Sequence, residues 1–227
     1  MVHRTCLQNA SYGFVQDITK DMNAIHSLNT RLSEEMSKNV TDALTGLYNR
    51  TKLEEEVRQI FRQENPKGML VLIDLDNFKR VNDEAEKAEG DKVLKAFGGS
   101  LSRQFRSTDL KVRLGGDEFV ILLREELSTE IMQMKLNQFL KEVRTELQEY
   151  YRSYKLSVSI GVAVITQEIH SYEDLYRNAD AAMYAAKRSG KDGFYMNLEQ
   201  NTCMRENCIH CRAVCERRKL LFDEKEG

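Results

Sequence analysis

Residues 110–123, "LKVRLGGDEFVILL", limit the possible folds more than any other stretch. Two apolar runs flank a pair of glycines and a pair of acids. Gly115 and Gly116 tolerate the positive φ of a tight turn, so the stretch reads as strand, turn, strand, a β-hairpin. A hairpin needs a sheet to join, and the flanking patterns supply one. "GMLVLIDLD" (68–76) is a short apolar run that ends in acids, hence a buried strand. "KLSVSIGVAVI" (155–165) alternates over Leu156, Val158, Ile160, Val162 and Val164, a strand with one face inward. "GFYMN" (193–197) is a last short strand.

Helical spacing fills the intervals. Leu53, Val57, Ile60 and Phe61 mark a helix over 50–64; Val93, Leu94, Phe97, Leu101 and Phe105 mark one over 91–105. Residues 127–149 form a charged amphipathic helix, and 171–188 an alanine-rich one. Residues 77–90 read as a polar loop. The order is a split βαβ arrangement with a hairpin at its centre. The expected fold class is α+β: a ferredoxin-like, palm-like antiparallel central sheet flanked by helices, preceded by an N-terminal helix.

That N-terminal helix is read from the stripe Ile18, Met22, Ile25, Leu28, Leu32, Met36, Val40. It either packs on its own domain or pairs two chains. The expected domains are 1–41 (N-terminal segment and helix), 42–197 (catalytic) and 198–227 (a cysteine-rich tail). Net charge is −2, so nothing global draws the chain to nucleic acid. No apolar run reaches the roughly 20 residues of a membrane span, and "MVHRTCLQNA" lacks the apolar stretch of a secretory signal. A cytoplasmic location follows as an expectation.

The acids carry the chemistry. Asp74 and Asp76 close the first strand; Asp117 and Glu118 open the second arm of the hairpin. With those strands adjacent, the two pairs face one another across one sheet edge. Clustered carboxylates are costly without a cation. Hard oxygen donors in small number suit Mg2+, which takes its remaining ligands from water and phosphates. Lys79, and Lys187, Arg188 and Lys191 in "AAKRSGK", offer cations for phosphate, although a basic helix end also serves simply to complement the helix dipole.

Several motifs in order complete the picture: "DALTGLYNR", "IDLDNFKRVND", "GD" at 90–91, "RSTDLKVRLGGDEF", "SIGVA" and "ADAAMYAAKRSGK". Together they resemble the GGDEF family of diguanylate cyclases. The resemblance implies condensation of two GTP into cyclic di-GMP and two pyrophosphates, across a homodimer with Mg2+ or Mn2+. It implies that Asp74, Asp117 and Glu118, with the Leu75 carbonyl, hold metal. Asp117 also takes the proton of the attacking 3′-hydroxyl, and Lys79 steadies transition-state charge. Asn82 and Asp91 match guanine-binding positions; Lys187 and Lys191 match positions that hold the terminal phosphates. Arg106 and Asp109 match the inhibitory site where cyclic di-GMP acts as a feedback ligand, the bland alternative being a helix-end ion pair.

Three departures stand out. Glu86 replaces a glycine, at a cost of about 1 kcal/mol if positive φ is required. Lys87 replaces a histidine close to the nucleotide, and either supplies charge to the same ligand or distorts the loop. Lys191 replaces an arginine and loses a bidentate grip. Retained but weaker activity is expected. The rival readings are a GGDEF-like module that binds GTP or cyclic di-GMP without turnover, and a cyclase acting on a single nucleotide.

The two ends add further expectations. "YGFVQDIT" (12–19) resembles the last strand of a PAS sensory domain running into its signalling helix. Cys203, Cys208, Cys211 and Cys215 stand in C-x4-C-x2-C-x3-C spacing, which suits zinc or an iron–sulfur cluster, against the alternative of unpaired thiols.

Overall fold

The computed structural model describes residues 40–85 and 87–197. The stripe at 18–36, the PAS-like stretch, Glu86 and the four C-terminal cysteines lie outside them. The elements run α1 (Arg50–Phe61), β1 (Met69–Asp76), α2 (Phe78–Glu84), α3 (Lys87–Gln104), β2 (Leu110–Gly115), β3 (Glu118–Leu123), α4 (Thr129–Glu146), α5 (Gln148–Tyr154), β4 (Ser157–Val164), α6 (Tyr172–Arg188) and β5 (Gly193–Asn197).

The strands form one sheet in the order β2-β3-β1-β4-β5. β1 is central and pairs antiparallel with β3 and β4, and β2–β3 is the antiparallel hairpin. Around this antiparallel centre, which the sequence implied, the sheet as a whole is mixed. β5 runs parallel to β4, because α6 crosses back over the sheet between them.

Alternation along β1 separates two cores. Val71, Ile73 and Leu75 face α3 and α4, where Phe97 meets Phe119 and Phe139 edge-on with centroids 4.8 and 5.8 Å away. Leu70 and Leu72 face α1 and α6, joining Val57, Ile60, Leu175 and Met183. Gly161 on β4 lets α6 lie directly on the sheet: a Cβ there would run into the Ala179 carbonyl and the Met183 N–H.

Two helices depart from the sequence reading. α2 occupies the expected polar loop; it has seven residues and buries only Phe78 and Val81, too few for a periodic signal. The expected helix over 127–149 breaks at Leu147 (φ −102°, ψ 25°), and α5 follows with no buried residue to announce it.

The "DALTGLYNR" segment covers the β2 edge. The Tyr48 N–H donates to the Lys111 carbonyl (3.0 Å), and the Arg113 N–H donates to the Tyr48 carbonyl (2.8 Å). Among the described residues, no helix is long and apolar enough to cross a membrane.

Candidate active site

Asp74 and Glu118 stand directly opposite one another in the β1–β3 ladder. By strand alternation both lie on the α1/α6 face, past the last apolar residues of each strand. Directly opposed like charges destabilise a sheet unless something neutralises them. Asp117 belongs to the same corner. It is the turn residue before Glu118, and its carbonyl accepts the Leu75 N–H at 3.2 Å, closing the hairpin tip onto β1. The backbone thus brings Asp74, Asp117 and Glu118 to one sheet corner.

The charges respond to one another. Burial, then the neighbouring Asp74 and Asp117, push the Glu118 carboxyl above its ordinary range, with Arg50 pulling the other way. Asp180, exposed on α6, is also held up, first by the protein mass around it and then by Asp74, against the pull of Lys187. Burial and the negative charges of Glu118 and Asp180 likewise raise the Tyr176 phenol. Lys187 reaches in from the C-terminal end of α6 and places its ammonium 2.8 Å from Asp74 Oδ1. The corner thus carries four acids facing two cations, the electrostatics of a cation site.

Its donor set fits Mg2+. Carboxylates and a backbone carbonyl are hard oxygen ligands, and Mg2+ needs only one or two protein carboxylates beside phosphates and waters. Among the described residues no group of three or more His, Cys, Asp or Glu side chains is arranged to hold a metal ion by itself.

Asp76 does something different. It is buried at 3% exposure, and its carboxylate accepts from the Ser157 hydroxyl (2.8 Å) and the Ser159 hydroxyl (2.9 Å). The second acid of "DLD" is committed to β4 and is not free for a ligand.

The other expected residues fall around this corner. Asn77 alone separates β1 from α2, so Lys79 and Asn82 lie on the helix that springs directly from β1. Asp91 follows Gly90 on α3, and an added Cβ at Gly90 would strike the Asn82 side-chain oxygen, so Asn82 packs on α3 one residue before Asp91. Lys87 is the first residue of α3 and is exposed. Lys191 lies just past α6, its Nζ 3.0 Å from Asn77 Oδ1.

Arg106 and Asp109 are adjacent, but not as an ion pair between side chains. The buried Asp109 carboxylate accepts the Arg106 backbone N–H (2.9 Å), while the Arg106 guanidinium is exposed, 3.7 Å from Glu125.

Three residues without an assigned role shape the site. Arg113 donates to the Gly116 carbonyl from Nε (3.1 Å) and Nη2 (2.8 Å), and to both Asp42 oxygens (3.1 and 3.2 Å). Burial works to raise the Asp42 carboxyl, but the Thr45 hydroxyl and N–H and the Arg113 guanidinium hold it below its ordinary value. This brace fixes the hairpin tip from the "DALTGLYNR" side. Asp42 opens that motif, which was the available signal. Asp180 is the third; it sits about two turns before Lys187 on α6, and nothing in its local sequence tied it to the distant acids.

Comparison with known proteins matches residues 39–193 to the family described as "Diguanylate cyclase, GGDEF domain". Diguanylate cyclase DgcP of Pseudomonas aeruginosa is 34% identical over 182 residues, covering 78% of this chain and 26% of DgcP. Diguanylate cyclase DgcS of Shewanella oneidensis is 32% identical over 177 residues, covering 76% of this chain and 58% of DgcS. This chain therefore spans only part of each relative's length. Among solved structures, the GGDEF domain of TpbB (YfiN) from Pseudomonas aeruginosa superposes with a TM-score of 0.59 at 30% identity, covering 69% of this chain and 93% of that one.

Proposed function

This chain belongs to the GGDEF family of diguanylate cyclases, and from that membership we propose that residues 42–197 condense two GTP molecules into cyclic di-GMP, releasing two pyrophosphates. The observation that carries the reading is Asp74 opposite Glu118, with Asp117 closed onto Leu75 at the same sheet corner. Such a corner is an unfavourable arrangement for a plain hairpin and a suitable one for a nucleotide–metal complex.

Asp74, Asp117, Glu118 and the Leu75 carbonyl are the groups that would hold Mg2+ or Mn2+. When bound, the ion supplies Lewis-acid stabilisation of phosphate charge. An ion held by Asp74 would take the place of the Lys187 ammonium now 2.8 Å from that carboxylate, and the lysine would then be available to phosphate. Asn82 and Asp91 read the guanine edge, the carboxylate accepting from its N–H groups. Lys191 engages the terminal phosphates, Lys79 balances charge at the reacting phosphorus, and exposed Lys87 adds charge at the nucleotide's side.

The reaction is in-line displacement, where positioning and charge stabilisation dominate. The 3′-oxygen of one nucleotide bonds to the α-phosphorus of the other, and the bond to pyrophosphate breaks. Asp117 takes the hydroxyl proton. Each chain holds one GTP, so two chains must meet face to face as a homodimer. In the feedback reading, the exposed Arg106 guanidinium would pair with or stack on product guanine.

Purified protein given GTP and Mg2+ should yield cyclic di-GMP by chromatography, and Asp117→Asn should lower the rate by about 100-fold or more with no loss of thermal stability. GTP bound but unconverted would favour a binding module; a monomeric cyclic nucleotide would favour a single-substrate cyclase.

The cysteines at 203, 208, 211 and 215 are proposed as a second metal site on spacing alone. Anaerobically purified protein should contain about one zinc or one iron–sulfur cluster per chain. Metal content near zero, with no effect of chelator on stability, removes that assignment.

A further inference from the structure

Asn77 stands between the last residue of β1 and the first of α2 in the left-handed conformation (φ 62°, ψ 17°). Asparagine at a helix N-cap ordinarily turns its side-chain oxygen onto the first turn of its own helix. Here it makes no such bond. Its side chain reaches outward instead. Nδ2 donates to the Lys155 carbonyl at 2.7 Å, which fixes the amide's orientation, and Oδ1 then accepts from Lys191 Nζ at 3.0 Å.

The backbone of Lys191 is held as firmly as its tip. Gly190, Lys191 and Asp192 all have positive φ (115°, 63° and 50°). Two successive non-glycine residues adopt this only where the surroundings enforce it. Arg144 of α4 supplies the enforcement: its Nε lies 3.0 Å from both Asp192 carboxylate oxygens, and its Nη2 donates to the Asp192 carbonyl at 2.9 Å.

We propose that Asn77 is a positioning residue that presets Lys191 for the terminal phosphates of the bound nucleotide; this rests on the cyclase reading above. A lysine waving in solvent loses its rotamer freedom on binding phosphate, and a preset one has already lost it. Asparagine suits the task because it orients the ammonium without neutralising it. An aspartate there would pair with Lys191 and repel the incoming phosphate. The arrangement also gives the single point charge of lysine a fixed location.

The test uses the whole chain with Mg2+, measuring affinity for the α,β-methylene analogue of GTP, which cannot react, and for GMP. Asn77→Gly keeps the left-handed backbone and removes only the side chain. It should weaken the triphosphate analogue by about three- to tenfold and leave GMP unchanged. Asn77→Asp should weaken the analogue further. Asn77→Gly combined with Lys191→Ala should bind no worse than Lys191→Ala alone. The proposal is overturned if Asn77→Gly binds the analogue like wild type, if it loses GMP equally, or if the double variant shows additive losses. Wild-type protein that binds neither nucleotide would instead overturn the cyclase reading, and this proposal with it.

Discussion

Glu118 is the residue whose titration reports the site. Its carboxyl is raised by burial, Asp74 and Asp117, so between its unfolded value near 4.5 and its higher folded value the native chain holds more protons than the unfolded one. Stability is therefore lost, not gained, as pH rises through that window. Glu118→Gln removes the penalty. At pH 7 without divalent ion it should raise Tm by about 2 °C, for roughly 0.5–1 kcal/mol of relieved repulsion. The advantage should vanish near pH 4 and in excess Mg2+. Scanning calorimetry checks this, and a variant less stable than wild type at pH 7 would show that Glu118 is not crowded by its neighbours. Residue types and order were enough to group Asp74, Asp117 and Glu118 at one sheet edge; Lys187 was expected at phosphates, and its ammonium lies 2.8 Å from Asp74. Asp76 misled, because a strand-end acid looks the same whether it meets an ion or, as here, two serine hydroxyls from a strand 81 and 83 residues away.

Among the elements, the strands and long helices were legible because each buries a face whose period is written in its apolar residues. β5 was legible as a strand but not in its direction, which depends on the crossover of α6. α2 and α5 were not legible: one buries two side chains and the other none. The site depends on α6 lying close to β4, since α6 delivers Lys187 to Asp74. Gly161 permits that approach, and the atoms an added Cβ would meet are backbone, which cannot rotate away. Gly161→Ala should cost about 2–3 kcal/mol, seen as a lower urea midpoint with unchanged m-value. A midpoint equal to wild type would mean that α6 has room to shift.

At the scale of the whole molecule, one sheet corner gathers residues from four separate stretches of sequence. β1 brings Asp74, the hairpin brings Asp117 and Glu118, α6 brings Lys187, and the segment before α1 brings Asp42 to brace the tip through Arg113. Family membership accounts for that gathering, while the proposed activity needs two such corners to meet. The chain spans only part of the length of its relatives DgcP and DgcS. The central claim is narrower: acids from β1 and from the hairpin grip one ion together with a nucleotide. Manganese binding followed by electron paramagnetic resonance, with the α,β-methylene GTP analogue present, tests it most directly. Wild type should bind the ion tightly only with the nucleotide, and Asp74→Asn and Asp117→Asn should each weaken it by about tenfold or more. Full manganese binding by either variant would contradict a shared ion.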